Sequence, residues 1–482
     1  MSPLLPAKWR KLLLLCLVLP FNAGAAGPDT LQLRNAPTLH DAFAKGQVNG
    51  RFRYFFMNTI NKGDLKDFYA NAAGGYLRYS TKPFHRLQVA IGASFTYNVL
   101  STDFTQTDAT TGAGSRYEIT LFDITSPTNR FNIARLDECQ LKYFLGNSID
   151  TNAGSGSITI GKQFLNTPFM NEQDGRMHPS SFDGLWLSFR RRYWQVDAGW
   201  IWGVSPRGTP NWYSTGQSVG IYGGGANPDG SRGNYRNNVQ TKGVAVLGFS
   251  YTKDDYSFRL WEYLVQNVLN IGMAEASYTK RTGKAAFTPG LMIIREDAVG
   301  SGGNADRSKV YINPGAGCWV ASGRLELHDA QEISNGWTTS LNYTRIAGNS
   351  RFQMPREWGR EPFYTFIPRE RNEGTGDVHA VTVNAGCGLF KTKIPGRLGV
   401  LAAIGYYDMP EVNDYRNSKY GTLSYAHFHT RIQYVFAKSL SGLRAELLYG
   451  YKKKLGNDYG NLRYVINRVD MSLINLIVNY DF

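Results

Sequence analysis

The last ten residues, 473–482, read Leu-Ile-Asn-Leu-Ile-Val-Asn-Tyr-Asp-Phe and decide the fold class. Side chains of a β-strand point alternately to opposite faces, so this stretch has one wholly apolar face and one mostly polar face. The apolar face ends in Tyr480 and Phe482, as expected for a lipid-facing strand with an interfacial aromatic girdle. A half-buried strand of a soluble sandwich would alternate too. A chain that ends on such a strand, behind an export signal, favours a transmembrane barrel.

Upstream segments repeat this alternation and place arginines on the polar face. Small and polar residues take one face and apolar or aromatic residues the other in 87–97, 195–202, 426–436 and 443–451. Arg431 and Arg444 lie on the polar face, and a charge is costly toward lipid but well solvated in a wet lumen. We therefore expect both arginines inside the barrel. The alternative is that they sit at the rim and bind lipopolysaccharide phosphates.

The connections between these segments alternate in length. Short links occur at 81–86, 190–194, 252–256 and 437–442, and long polar stretches at 98–135, 203–242, 296–318, 347–378 and 407–423. Short turns on one side and long loops on the other are typical of outer-membrane barrels. We count roughly eighteen strands, with ambiguous ones in 256–330. The sequence therefore predicts an all-β fold, a transmembrane antiparallel β-barrel of about 18 strands.

The N-terminus has the three parts of a secretory signal peptide. Lys8, Arg10 and Lys11 precede the apolar run 12–19, and Ala23-Gly24-Ala25 follows it. The run is too short to span a bilayer as a helix. We predict a signal peptide at 1–25 and a single barrel domain at 26–482, with a short segment 26–47 before the first strand. Removing the leader changes the net charge from +15 to +12, because it carries three positive side chains.

Few residues suggest metal or catalytic chemistry. Once the leader with Cys16 is removed, three cysteines remain, namely Cys139, Cys318 and Cys387. An odd number cannot pair fully within one chain, and their spacing is too wide for a zinc cluster, so we expect isolated, packed thiols. His427 and His429 share a face, but without an obvious third ligand a hydrated lumen pair is preferred over a metal site. The sequence contains no His-Glu-x-x-His motif, and the Gly-x-Ser-x-Gly run at 216–220 lies in the long polar stretch 203–242 and not in the strand-to-helix turn of a nucleophile elbow. We predict no enzyme activity, no cofactor and no metal.

Residues 161–186 resemble one known family. The segment includes Gly161 with Gln163, Thr167-Pro168, Asp174, Arg176-Met177, Pro179, and Phe182 with Gly184. These features strongly resemble a segment of OprD-type porins, which are substrate-selective outer-membrane channels. The stretch from His40 to Arg53 resembles that family's opening strand, and Met354 to Gly359 with Pro368-Arg369-Glu370 is similar to it as well. The matches are spread over nearly the whole mature chain.

The resemblance implies eighteen strands, inward-folded loops that narrow the pore, and a column of basic side chains that steers carboxylate-bearing solutes. On that basis the pore constriction is predicted at Thr167, Pro168, Asp174, Arg176, Met177 and Pro179. Pore-lining basic residues are predicted at Arg51, Arg53, Arg345, Arg431, Arg444 and Arg468. A basic lining attracts anions and repels cations through the same field.

These observations predict an outer-membrane porin for small hydrophilic, carboxylate-bearing solutes. Its expected partners are those solutes, membrane lipid and lipopolysaccharide, without nucleic acid, and a monomer and a loose trimer both remain open. The alternative is an outer-membrane barrel enzyme of lipase or protease type, for which no Ser, His and acid set can be assembled. A receptor barrel would need an N-terminal plug, but only about two dozen residues separate the leader from the first strand.

Overall fold

The computed structural model describes residues 35–131, 133–146, 154–330, 336–348, 350–389 and 395–482. Within this part of the chain, eighteen long strands pair in antiparallel fashion with their neighbours in sequence, and the first strand also pairs with the last. The sheet formed by these eighteen strands is therefore closed, and each of them has a paired strand on both sides. A bilayer requires such closure because its hydrocarbon cannot hydrogen-bond a free edge.

Two short strands, β8 and β12, add to the eighteen by pairing with β7 and β13. The strands are β1 Gln47–Asn61, β2 Phe68–Ser80, β3 Leu87–Ser101, β4 Ile133–Leu145, β5 Ser155–Gln163, β6 Ser181–Arg191, β7 Trp194–Ser205, β8 Tyr213–Ser214, β9 Val244–Lys253, β10 Tyr256–Val265, β11 Leu269–Tyr278, β12 Lys280–Thr282, β13 Ala285–Ala298, β14 Gly317–Asp329, β15 Trp337–Ile346, β16 Val378–Leu389, β17 Gly396–Asp408, β18 Tyr425–Phe436, β19 Leu443–Lys454 and β20 Met471–Asp481.

Helices are few and short. The helices are α1 Leu39–Ala44 and α2 Thr215–Ser218, and single 3₁₀ turns lie at Glu118–Leu121, Arg307–Lys309, Lys438–Leu440 and Leu462–Tyr464. No helix among the described residues is long and apolar enough to cross a membrane.

The outer face of the barrel is apolar, whereas the inner face carries polar side chains together with buried apolar ones, such as Phe55, Met57 and Ile271, that belong to the apolar clusters. On β15, Leu341 and Tyr343 are exposed on the outside, whereas Asn342 and Thr344 are buried on the inside. Exposed apolar side chains continue around the wall, for example Val381, Val383, Ile404, Tyr406, Phe428, Ile432, Leu447 and Leu476. A soluble barrel would have the reverse arrangement, with its apolar set inside. The predicted fold class, a transmembrane antiparallel barrel of about eighteen strands, is confirmed.

The two ends of the barrel differ, as the loop lengths predict. One end carries tight turns such as 192–193 and 254–255. The other end carries the long loops 102–132, 164–180, 206–243, 299–316, 347–377, 409–424 and 455–470. The link 266–268 is an exception, since it is only three residues long at the long-loop end. The ambiguous stretch 256–330 contains β10, β11, β13 and β14 together with β12.

Two details differ from the sequence-based expectations. Residues 39–44 form α1, capped by Thr38, whose side chain accepts a hydrogen bond from the Asp41 N–H, so the opening strand begins only at Gln47. Cys318 is buried as expected, but Cys139 and Cys387 are exposed on the outer face. All three cysteines are free. The predicted leader 1–25 lies outside the described residues.

The barrel closes where β1 meets the C-terminus. Gly50 and Phe482 exchange two backbone hydrogen bonds of 2.9 Å each. The Phe482 ring stacks on Phe52, with ring centroids 5.4 Å apart, and on Tyr480, with centroids 6.1 Å apart. We predict that Phe482→Asp lowers the yield of folded barrel, because a charge replaces an interfacial aromatic at the closing seam. Folding is measured as heat-modifiable mobility on a gel.

Tyr459→Asp is the matched control, since Tyr459 is an exposed aromatic of loop 455–470 that lies away from the seam. It should fold like the parent protein. Normal heat-modifiable mobility of the Phe482→Asp variant would contradict the role assigned to the closing end of β20.

Candidate functional site

The barrel encloses a cavity of about 2210 Å³. Its lining begins near the short-turn end, with Gln47 and Leu443, and reaches inward-folded parts of loops 102–132, 164–180, 206–243 and 347–377. A barrel of eighteen strands is too wide for its own side chains to fill. The loops therefore supply much of the inner lining, and their attachments determine the shape of the lumen.

Loop 164–180 is held to the wall by a charged clamp at Asp174. Arg51 and Arg53 are two residues apart on β1 and therefore share a face, and both line the cavity. Arg53 donates from Nη1 to Asp174 Oδ1 at 2.6 Å and from Nη2 to Oδ2 at 3.0 Å, and Arg51 donates from Nη1 to Oδ2 at 2.5 Å. Such paired guanidinium–carboxylate contacts fix both distance and orientation. Desolvation raises the pKa of the Asp174 carboxyl, but the guanidinium groups of Arg53 and Arg51 outweigh it and lower the pKa to about 2.

The two clamp arginines are also fixed by β20. Arg51 donates from Nε to Asp481 Oδ1 at 2.6 Å, and Arg53 donates from Nε to Asn479 Oδ1 at 2.7 Å. Each guanidinium thus joins the closing strand to loop 164–180. The clamp therefore depends on the same seam that closes the barrel.

The other predicted constriction residues lie in the same loop and line the cavity. Thr167 and Met170 form a tight turn around Pro168, in which Thr167 Oγ1 donates to the Met170 carbonyl at 2.9 Å. The buried Arg176 side chain donates to Thr120 Oγ1 and to the Gly175 carbonyl, the latter at 2.5 Å. Met177 packs in the apolar cluster that contains Phe55 and Met57, and the Pro179 carbonyl accepts from Arg135. The structure thus brings Thr167, Pro168, Asp174, Arg176, Met177 and Pro179 together.

The inward loops are bonded to one another. Asn171 of loop 164–180 donates its backbone N–H to the Trp358 carbonyl at 3.0 Å and its side-chain amide to the Arg360 carbonyl at 3.1 Å. Glu357 Oε1 accepts the backbone N–H groups of Gly220 at 3.0 Å and Tyr222 at 3.1 Å. These contacts join loops 164–180, 206–243 and 347–377 into one hydrogen-bonded assembly inside the barrel.

A second buried ionic cluster attaches loop 347–377 to the wall. Glu370 contacts His427 of β18 and forms an ion pair with Lys452 of β19, with 3.1 Å between Oε1 and Nζ, and the Tyr425 hydroxyl donates to it. Desolvation raises the pKa of Glu370, but Lys452 and His427 outweigh it and lower the pKa to about 2. His427 and His429 are each only 1% exposed, so the expected hydrated pair is wrong. They are covered because loop 347–377 packs over that wall.

Basic side chains dominate the cavity lining. The described lining residues include thirteen arginines and one lysine against seven acidic residues. Loop arginines that the sequence analysis missed as site residues are Arg116, Arg207, Arg356, Arg360, Arg369 and Arg371. Burial, together with the nearby charge of Arg371, lowers the pKa of Arg207 to about 9. The arginines therefore repel one another in a partly desolvated space, as expected for a field that attracts anions.

Four of the six predicted basic residues line this cavity, namely Arg51, Arg53, Arg431 and Arg444. The other two do not. Arg345 shares the outward parity of Leu341 and Tyr343 on β15, and it donates to Asp377 Oδ1 at 2.6 Å near the long-loop end. Arg468 lies in loop 455–470 and donates to the backbone carbonyls of Tyr420 and Gly421. Strand parity alone would have removed Arg345 from the predicted set.

Acidic side chains also line the cavity among the basic ones. Glu172 lies two residues before Asp174 and faces the same cavity. Burial raises the pKa of its carboxyl to about 7, and the nearby charges of Asp174 and Glu138 act in the same direction. Glu172 can therefore change its charge near neutral pH, unlike Asp174.

Comparison with known proteins identifies the fold. No family model matches the sequence, and no characterised protein matches it in a sequence search. The crystal structure of Pseudomonas aeruginosa OccK9 (OpdG) matches with a TM-score of 0.68 at 14% identity, covering 92% of this chain and 99% of that chain. P. aeruginosa OpdK with vanillate matches with a TM-score of 0.64 at 14% identity, covering 91% and 99%. Acinetobacter baumannii OccAB3 matches with a TM-score of 0.66 at 13% identity, covering 91% and 99%.

The matched structures are OprD-type porins, the same family that residues 161–186 resemble. At these identities the likeness shows a shared fold. It extends over nearly the full length of both chains.

From the contacts of Asp174 with Arg51 and Arg53 we predict that Asp174→Asn loosens loop 164–180, because the amide keeps the shape of the carboxylate and removes its charge. We expect backbone hydrogen exchange in loop 164–180 to become roughly tenfold faster, because hydrogen bonds to a charged partner are lost. Since the pKa of Asp174 is depressed, the clamp is complete above the ordinary carboxyl range and is lost only as pH falls toward about 2. The parent protein should therefore show no loosening of this loop between pH 8 and 5.

Asp103→Asn serves as the control, because Asp103 lies in loop 102–132 at the surface and is 3.9 Å from its cationic partner Arg130. It should leave exchange in loop 164–180 unchanged. Equal exchange in the Asp174→Asn variant and the parent would mean that the contacts of Arg176 and Thr167 hold the loop without the clamp.

Proposed function

We propose that this protein is an outer-membrane diffusion channel of OprD type and that it admits small hydrophilic solutes, with a preference for carboxylates. The observation that carries the proposal is the twofold excess of basic over acidic side chains around a large lumen whose outer wall is apolar. An apolar exterior fits a bilayer, and a wide interior lined with charged and polar side chains fits the passage of hydrated solutes. Residues 1–25 are proposed to direct export and to be removed.

The preference for anions follows from the field inside the lumen. Fixed positive charges in a narrow path bounded by low-dielectric walls concentrate anions and repel cations. Bidentate pairing with carboxylates is the particular strength of guanidinium groups, and arginine far outnumbers lysine in this lining. The OpdK structure, which shares this fold, contains vanillate, a small aromatic carboxylate, and this supports the same solute class.

Loop 164–180 is proposed to narrow the path. Asp174 anchors this loop to β1, and the Arg176 side chain links it to loop 102–132 by a hydrogen bond to Thr120 Oγ1. A segment fixed at both points can hold a defined aperture, since each anchor is charged and partly or fully buried. The alternative of a barrel enzyme is not favoured, because the solved structures with this fold are channels.

The function is tested by single-channel recording of the purified protein in planar bilayers. We expect an anion-selective reversal potential in a salt gradient and a shift toward cations in an Arg431→Gln, Arg444→Gln double variant. The shift should be largest at about 0.1 M salt, where the Debye length is about 10 Å, and small at 1 M, where it is about 3 Å.

Arg345→Gln is the matched control, because this arginine lies on the outward face of a neighbouring part of the barrel. It should leave the reversal potential unchanged. Absence of any conductance from folded protein would contradict the channel itself. An unchanged potential in the double variant would remove only Arg431 and Arg444 from the ion path.

The raised pKa of Glu172 predicts a pH dependence of selectivity. An acid with a pKa of about 7 is largely charged at pH 8 and largely neutral at pH 6. Because protonation removes a negative charge from the lumen, the anion preference should increase as pH falls over this range. Glu172→Gln should abolish the change, whereas Glu411→Gln, in the surface loop 409–424, should preserve it. The same pH dependence in the Glu172→Gln channel would assign the titration to another group.

A further inference from the structure

A second cavity, of about 520 Å³, lies at the long-loop end of the barrel. It shares no lining residue with the lumen cavity. Loops 206–243, 299–316, 347–377 and 409–424 all contribute to it. Its rim is exposed at Pro228, Asn313 and Arg416, whereas its floor is buried and consists of Tyr235, Tyr311, Arg351 and Lys419.

Arg351 is the unusual member of this floor. Its side chain is buried, with the residue 4% exposed, and Nη1 donates to the Ala226 carbonyl at 2.6 Å. The Nε and Nη2 groups have no hydrogen-bond partner among the described residues. None of the ion pairs formed in the described part of the chain involves Arg351. Burial lowers the pKa of Arg351 to about 10, with Glu373 acting in the opposite sense, so the group stays charged at neutral pH.

The unpaired atoms form one edge of the guanidinium. Nε–H and Nη2–H point in parallel, and this is an edge that a carboxylate or phosphate grips with two oxygens. The third nitrogen is occupied by Ala226, which fixes the plane of the group. Leaving two donors of a buried cation unpaired is unfavourable, and an oxyanion held against this edge would relieve that cost.

The surrounding charges leave Arg351 available. Lys419 is compensated by Glu373, with 2.8 Å between Nζ and Oε1, and Arg295 is paired with Asp297. The nearby acids Asp229 and Asp414 act on Arg351 through space without forming an ion pair with it. Arg416 at the rim is exposed and adds a second cation.

The floor also offers an apolar surface. The rings of Tyr235 and Tyr311 meet edge to face with centroids 5.0 Å apart, and Lys419 Nζ lies 4.6 Å and 4.5 Å from those centroids. A cavity of this size falls within the range of about 300–1,000 Å³ typical of small-molecule sites. It can hold the body of an organic anion as well as its charged group.

We propose that this cavity is a second anion site, separate from the lumen, in which two oxygens of a carboxylate or phosphate accept hydrogen bonds from Nε and Nη2 of Arg351. The ligand is either a small soluble anion or a phosphate group of lipopolysaccharide, since both present the same oxyanion. Binding there bridges loops that also contribute to the lumen assembly, namely 206–243 and 347–377.

The test is isothermal titration calorimetry of the folded, full-length protein in detergent with three probes: benzoate, inorganic phosphate and lipid A. Arg351→Gln should weaken binding about tenfold or more, because it removes the charged fork. Arg351→Lys retains a charge but not the fork, and it should also weaken binding. Heat-modifiable mobility on a gel verifies that each variant is folded. If only one of the two Arg351 variants folds, its affinity alone tests the proposal.

Two controls separate this site from others. Arg236→Gln removes an exposed arginine of loop 206–243 that lines neither cavity, and it should bind like the parent. The Arg431→Gln, Arg444→Gln double variant should retain the component that is lost with Arg351, because its substitutions lie in the lumen. Weakening confined to lipid A would identify the oxyanion as a lipid headgroup. Equal affinity of the parent and the Arg351 variants for all three probes, or no binding to the parent, would overturn the proposal.

Discussion

A bilayer offers no hydrogen bonds to a free strand edge, and the structure depends on how this chain meets that constraint. The seam between β1 and β20 closes the sheet, and its last contacts are the two backbone hydrogen bonds between Gly50 and Phe482. The same seam orients Arg51 and Arg53 toward Asp481 and Asn479. Closure of the barrel and attachment of loop 164–180 therefore use one set of residues.

Eighteen strands leave a lumen that side chains from the wall cannot fill, so the interior is built from loops. Loop backbone needs hydrogen-bond partners once it is removed from water. Here it finds them in other loops, as when Glu357 accepts the N–H groups of Gly220 and Tyr222. Charged anchors attach the assembly to the wall, at Asp174 on β1 and at Glu370 on β18 and β19. Partly buried charges are thus structural as well as electrostatic elements of the lumen.

Strand parity explains which residues the sequence predicted well. The alternation in 426–436 and 443–451 assigned Arg431 and Arg444 to the inside, and both line the cavity. Arg345 lies outside the cavity, because its parity on β15 places it on the same face as Leu341 and Tyr343. Loop residues do not alternate between an inner and an outer face as strand residues do. The sequence could not assign Arg207 and Arg369 to the cavity, because their inward position arises from contacts between segments far apart in sequence. The burial of His427 likewise depends on a distant residue, Glu370.

Arginine has three different roles in this barrel, and its surroundings distinguish them. Arg53 is neutralised by Asp174 and acts as an anchor. Arg431 faces the open lumen, where water and mobile ions screen its charge. Arg351 is buried like an anchor but forms no ion pair within the described residues, so its guanidinium edge is left for the oxyanion proposed above. The number of arginines sets the net field of the protein, whereas the nearest carboxylate determines whether each one holds structure, steers ions or binds a ligand.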